Sequence, residues 1–282
     1  MSSSPSSSAV AARQALAARL VEIRKDAGIN GRELSDRCGW NPAKTSRIQD
    51  AKTSPSDADI RAWCAACGAE EKAADLIAAS RAVESMYVEW KRLQRTGLRV
   101  LQEEPVPLFE RTRQFRIYSA DVIPGLFQTE AYASALLTAI TNFRRIPNDV
   151  ADAVAARMAR SHVIHEGNHR LSVVVEEWVL RSRIADADAM RGQLVYLLEV
   201  MALPRVSLGI IPLTAERHMW PVETFGIYDS ELAGVELVSA QVTVTAPNEL
   251  ALYSQAFTEL QRLAVYGAKA RALVTAAIDA LG

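Results

Sequence analysis

Three cysteines in 282 residues are too few, and odd in number, for a secreted disulfide framework. Long apolar runs are missing. None approaches the roughly 18 residues that a membrane-spanning helix needs, so no membrane partner is expected. There is no Gly-rich phosphate loop and no Gly-x-Ser-x-Gly elbow. The opening MSSSPSSSAV has neither a basic segment nor an apolar one, so a secretory signal is not expected and residues 1–9 read as a disordered tail. An excess of either charge is missing as well, the net charge being −1. These absences describe a cytoplasmic protein.

What is present is ordinary globular composition, 49% hydrophobic and 23% charged, enough for one large or two modest domains. The charge is unevenly spread. Between Val10 and Cys67 ten basic residues face seven acidic ones, so this stretch carries +3 and the remainder −4. That asymmetry points to an anionic partner for the N-terminal part. The chain divides into the tail, a helical domain over 10–80, a connecting helix and linker over 81–106, and a domain over 107–282. Met86, Trp90 and Leu93 mark the connecting helix, from Val83 to Leu101, and EEPVP at 103–107 then punctuates the chain at the domain boundary.

Residues 10–80 read as five short helices. Leu16, Leu20 and Ile23 form one stripe, ended by Gly28. Asn30 with Glu33 resembles a capping box opening a second helix, with Leu34 and Cys38 inward. Gly39 makes a sharp turn. Asn41 caps a third helix, about 42–50, and Pro42 takes its first position, where a missing N–H costs nothing. Ser56 caps a fourth, with Ile60, Trp63 and Cys64 buried, and a fifth follows at about 70–79.

A short helix is marginal alone, so one that is firmly started and polar on one side needs a reason to exist. Helix two, the glycine turn and helix three have the order of a helix-turn-helix, whose second helix enters the major groove of double-stranded DNA. Ile48 and Trp40 are expected inward, with Ala43, Lys44 and Arg47 outward as base contacts. Arg47 suits guanine O6 and N7, and Ala43 a thymine methyl. Arg32, Asn41, Ser46 and Lys52 suit phosphate contacts, which position without specifying sequence. The alternative is a helical bundle with a merely solvated polar face.

Residues 13–79 closely resemble the Xre, or lambda-repressor-like, DNA-binding domain in its actinomycete form. The matching residues are Gly28, Gly31-Arg32-Glu33-Leu34, Cys38-Gly39-Trp40, Pro42, Lys44, Ser46-Arg47-Ile48 and Pro55-Ser56. Two departures stand out. Thr45 occupies a place where such helices often carry Ile or Val, and Asp50-Ala51 replaces a basic residue or Asn followed by Gly.

The second domain mixes periods. Strand-like runs occupy 115–120, 171–177, 206–213, 224–230 and 235–245, with helical stretches near 128–140, 147–166 and 186–201. A long terminal helix starts near Pro247, with Leu250, Tyr253, Phe257 and Leu260 on one face. The chain is therefore mainly α with an α+β C-terminal domain. Segments such as VPLFERTRQFRIYSADVIPGLFQTEAYASALL, VAARMARSHVIHEG and MWPVETFGIYD resemble the domain of uncharacterised function attached to many of these regulators. That resemblance implies a small partner protein, often encoded nearby, and links to development or secondary metabolism.

Three further groups carry chemistry-bearing side chains. SHVIHEGNHR gathers His162, His165, Glu166 and His169, which would share a zinc-suited face on one continuous helix. Gly167-Asn168 should break that helix, and a frayed polar end is the plainer reading. Cys64-Ala-Ala-Cys67, with Cys38, lacks the βαβ setting of a thioredoxin motif and reads as buried thiols. The loop at 122–129 with Trp178, Trp220 and Tyr228 reads either as core or as the lining of a small-molecule pocket. The expectation is a non-enzymatic, cofactor-free transcriptional regulator that binds DNA as a homodimer. Its rival is an antitoxin-like interaction protein that uses DNA binding for autoregulation. A metal-dependent hydrolase fused to a DNA-binding module is a third, weaker alternative.

Overall fold

The structure, a computed structural model, describes residues 7–77, 80, 87–89, 94–245 and 247–282. It divides into two compact units, Met1–Val88 and Glu89–Gly282.

The first unit is helical. Helix α1 spans Ser7–Asp26, so helix begins inside the stretch expected as tail. It is followed by α2 (Gly31–Cys38), α3 (Pro42–Gln49) and α4 (Asp57–Ala66), then a 3-10 turn at Glu70–Lys72 that runs into helix over 73–77. Leu16, Leu20, Ile23, Leu34, Ile48, Ile60, Trp63, Cys64 and Leu76 make one core. No helix could bury its stripe alone, and each supplies the others' partner. The expected capping box at Asn30 is only half present. Its side chain accepts from the Arg32 and Glu33 amides, but the Glu33 carboxylate turns away to Arg37 instead. The full box is at α4, between Ser56 and Asp59.

The connecting helix expected over 83–101 is not continuous. Residues 83–86 and 90–93 lie outside the described residues, but Tyr87–Glu89 forms a short strand, β1, and among the described residues helix next occurs as α5 (Arg99–Glu103) and α6 (Val106–Arg111).

The second unit is α+β. Strands β2 (Gln114–Ser119), β3 (Arg170–Glu176) and β4 (Val206–Ile211) run parallel, with Phe115 opposite Leu171 and Leu171 opposite Val206. Parallel neighbours need crossovers, supplied by α7 (Glu130–Arg144) with α8 (Val150–Arg160), and by α9 (Glu177–Arg181) with α10 (Ala187–Val200). On the other side of β2 the sheet turns antiparallel through β5 (Phe225–Tyr228), β6 (Leu232–Glu236) and β7 (Ala240–Val244). The order across these six strands is β7-β6-β5-β2-β3-β4. The run 235–245, expected as one strand, is a hairpin, its two arms pairing Val235 with Val242.

Both faces of the parallel part are covered, which is why β3 is buried almost throughout. Val173 and Val175 share a core with Met190, Leu194 and Val274. Val174 and Ile211 share another with Leu250, Phe257 and Leu260. The long terminal helix is in fact two, α11 (Pro247–Leu263) and α12 (Gly267–Asp279). Between them Val265 exchanges two backbone hydrogen bonds with Ile210, at 2.8 and 3.0 Å, which takes it out of any helix. Gly267, at φ +56, then redirects the chain.

Candidate nucleic-acid interface

The interface is built from α2, one sharp turn and α3. Gly39 sits at φ +65 and closes α2 by donating to the Ser35 and Asp36 carbonyls. A left-handed residue there is what lets α3 cross α2 within three residues. Asn41 Oδ1 accepts from the Ala43 amide at 2.9 Å and Pro42 follows as the first helical residue. Local chemistry therefore sets where α3 begins, as the sequence indicated.

Its orientation is set by a polar contact. Ser35 and Thr45, 0% and 1% exposed, share a 2.7 Å hydrogen bond between their hydroxyls, and Ser35 also donates to the Gly31 carbonyl. Thr45 is thus no random departure from an aliphatic residue, because its hydroxyl answers Ser35. Thr45→Val should cost about 1 kcal/mol, and Ser35→Ala with Thr45→Val less than the sum of the singles, since no orphaned hydroxyl remains. Urea denaturation of all four members of the cycle checks this; strict additivity would refute the coupling.

Inward, Ile48 is fully buried and Trp40 packs tilted on Trp63 at 6.3 Å. Outward, Ala43, Ser46, Arg47 and Asp50 are exposed and recur at the helical spacing of one face. Arg47 makes no ion pair or hydrogen bond with its side chain among the described residues, and Arg32 is likewise exposed. Lys44, expected beside Arg47, is turned away from that face. Its Nζ lies 2.6 Å from Asp59 Oδ1 on α4 and 4.5 Å over the Trp40 ring. Burial raises the Asp59 pKa, but hydrogen bonds from Lys44 and Ser56, with the Lys44 charge, outweigh it and hold the carboxyl below its usual range. Asp59 and Ser35 were not legible as parts of this site, because both act across helices.

Asp50 gathers the other two polar candidates. Lys52 Nζ lies 3.0 Å from its Oδ2, and the Ser46 hydroxyl 3.4 Å. These contacts, the Lys52 hydrogen bond first, lower the Asp50 pKa. Both partners are largely exposed, and such a pair is worth little, so a phosphate can compete for Lys52. Ala51 follows at φ +55, the position where the resembling domains carry Gly; a non-Gly residue there costs about 1–2 kcal/mol.

The remaining candidates lie apart. Helix α8 stops at Arg160 and gives way to a 3-10 turn over Ser161–Ile164, so the histidines share no helical face. His169 is buried against the Thr112 carbonyl, at 2.6 Å, while His162 is half-buried and His165 exposed. Among the described residues no group of three or more His, Cys, Asp or Glu is arranged to hold a metal ion. Burial raises the thiol pKa of Cys38, Cys64 and Cys67, which keeps all three protonated at neutral pH. No helix among the described residues is long and apolar enough to cross a membrane.

Two family models match the chain. Residues 15–77 match a helix-turn-helix domain and residues 108–276 a domain of unknown function (DUF5753). No curated protein and no solved structure matches it.

Proposed function

The chain belongs to the family defined by the domain of unknown function DUF5753, and with a helix-turn-helix domain preceding it we propose that it is a sequence-specific transcriptional regulator of Xre type. One observation carries the reading. Helix α3 buries Thr45 and Ile48 while presenting Ala43, Ser46 and an uncommitted Arg47 on its outer face.

In this reading α3 lies in the major groove and Arg47 forks onto guanine O6 and N7, while Ala43 packs on a thymine methyl. Arg32, Asn41, Ser46 and Lys52 hold phosphates. Lys52 leaves its exposed pair with Asp50 at small cost. Lys44 reaches a base only by giving up Asp59, so its contribution is smaller than that of Arg47. The regulator works in the cytoplasm, without a catalytic role, as a two-fold dimer on half-sites about 10 base pairs apart. The second domain serves dimerisation and the response to a partner or ligand.

Selection of genomic DNA fragments by the full chain tests this. The wild type should enrich a two-fold site. Arg47→Ala should relax one base position per half-site, with a loss of about 1–3 kcal/mol in discrimination. Lys52→Ala should instead weaken all sequences alike and flatten the salt dependence by about one charge. Failure to enrich any site, or a uniform loss for Arg47→Ala, refutes the assignment.

A further inference from the structure

The second unit holds a cavity of about 640 Å³ between helices α5 to α8 and the β2, β5, β6 and β7 part of the sheet. That volume falls in the range of small-molecule sites. The loop at 122–129 contributes Val122, Pro124, Gly125, Leu126 and Gln128, and Tyr228 contributes its ring. Trp178 is instead tied to the Ala120 carbonyl, and Trp220 is exposed.

Four arginines line it, Arg111, Arg144, Arg157 and Arg160, and the last two stand three residues apart on α8. Neither of these two has a carboxylate within ion-pair distance among the described residues. Arg157 is held by neutral oxygens, its Nε by Gln102 Oε1 at 2.9 Å and its Nη1 by Gln128 Oε1 at 2.6 Å. Arg160 donates from Nη1 to the Gln102 carbonyl at 3.2 Å, and its Nε is buried with no partner. Burial lowers the pKa of both guanidiniums, that of Arg157 to about 10, and each remains charged at neutral pH. Two neighbouring cations, each half-buried and without a carboxylate in ion-pair distance, are costly by themselves. The fold nonetheless fixes them. Asp149 caps α5 through the Leu98 and Arg99 amides, at 2.7 and 2.8 Å, and so places Gln102 over both arginines.

Three acids share the wall, Glu104, Asp121 and Glu236, and none lies within ion-pair distance of this pair. Asp121 already accepts from the Val122 amide and the Thr224 hydroxyl, and Glu104 is exposed. Glu236, exposed on β6, is one carboxylate whose charge reaches Arg144, Arg157 and Arg160 together. Burial also pushes the Tyr228 phenol up to about 12, so it stays a hydrogen-bond donor beside Arg160. The apolar part of the wall includes Leu101, Leu108, Leu126, Leu136, Leu137 and Ile140.

We infer that this cavity binds a small organic anion, a carboxylate or phosphate head on an apolar body, with Arg157 and Arg160 on the head and the leucines around the body. Arginine pairs suit either head because the guanidinium forks onto two oxygens. That the anion controls DNA binding rests on the regulator reading above; that it binds does not.

Equilibrium dialysis of the full chain, without DNA, separates the two. The probes are 2-naphthoate, 2-naphthyl phosphate and neutral 2-naphthol, which share one apolar body. At least one anion should bind one per chain and at least 10-fold more tightly than naphthol, the better of the two identifying the head. Arg157→Gln and Arg160→Gln should each bring that anion down to the affinity of naphthol. Glu236→Gln, at an exposed position that does not threaten folding, should tighten it several-fold. Equal binding of naphthol and the anions, no binding of any probe, or an unchanged affinity in Glu236→Gln overturns the inference. So does full affinity retained in the two arginine variants. DNA selection by the same preparation stands or falls independently.

Discussion

Trp63→Ala should lower the stability of the helix-turn-helix unit by about 3–5 kcal/mol. Trp63 is fully buried at the centre of that unit's core, beside Leu20, Ile48 and Ile60. It also donates from Nε1 to the Leu20 carbonyl of α1 at 2.9 Å and meets Trp40 just before α3. One side chain therefore ties α1, α4 and the turn together. A small domain has only about 5–15 kcal/mol in total, so the variant should populate unfolded chains and weaken the proposed DNA binding without changing the exposed face of α3. Trp63→Phe separates the causes. It keeps most of the apolar contact and gives up the hydrogen bond, at an expected cost of about 1–3 kcal/mol. Urea denaturation followed by helical ellipticity measures both. A loss below about 1 kcal/mol for Trp63→Ala would show that α3 is held from elsewhere.

Arg217→Ala should cost the second unit a similar amount, about 3–5 kcal/mol. Its guanidinium, which also lies 5.4 Å from the Trp178 ring, meets the carboxylate of Glu176 through both terminal nitrogens. Glu176 ends β3 and is 0% exposed, with the Tyr118 hydroxyl at 2.8 Å as its other partner. Removing the cation leaves that buried negative charge with a single phenol, whose own pKa burial and the carboxylate push upward. The expected loss is the penalty of the stranded charge more than the worth of the pair. Arg217→Met with Glu176→Gln should therefore recover most of it, since the amide still accepts from Tyr118 while nothing charged remains. Denaturation of the single and double variants decides. If Arg217→Ala stays within about 1 kcal/mol of the wild type, water reaches Glu176 and the account fails.

Most of the helix-turn-helix unit was legible in the sequence. The turn at Gly39, the caps at Asn41 and Ser56 and the buried Ile48 depend on residues within a turn or two of one another. Less was legible where separate elements meet. Lys44 and Arg47 lie three residues apart and should share a face, yet Asp59, fifteen residues on, draws Lys44 inward. Strand-like composition located the β6–β7 run but could not show that it folds back on itself, because both arms have the same residue preferences. The terminal helix broke at Val265 for a reason carried by Ile210, more than fifty residues earlier.

By itself the sequence determined the class of each domain, the start and length of α3 and the unusual Thr45 on it. Those properties follow from backbone preference, capping and periodicity, which act over a few residues. Tertiary structure alone decided which cation of α3 stays uncommitted, what Thr45 bonds to, and that two arginines of α8 share a cavity without a carboxylate in ion-pair distance. Each of those depends on which distant group arrives within about 3 Å, and hydrogen bonds and ion pairs are decided at that range.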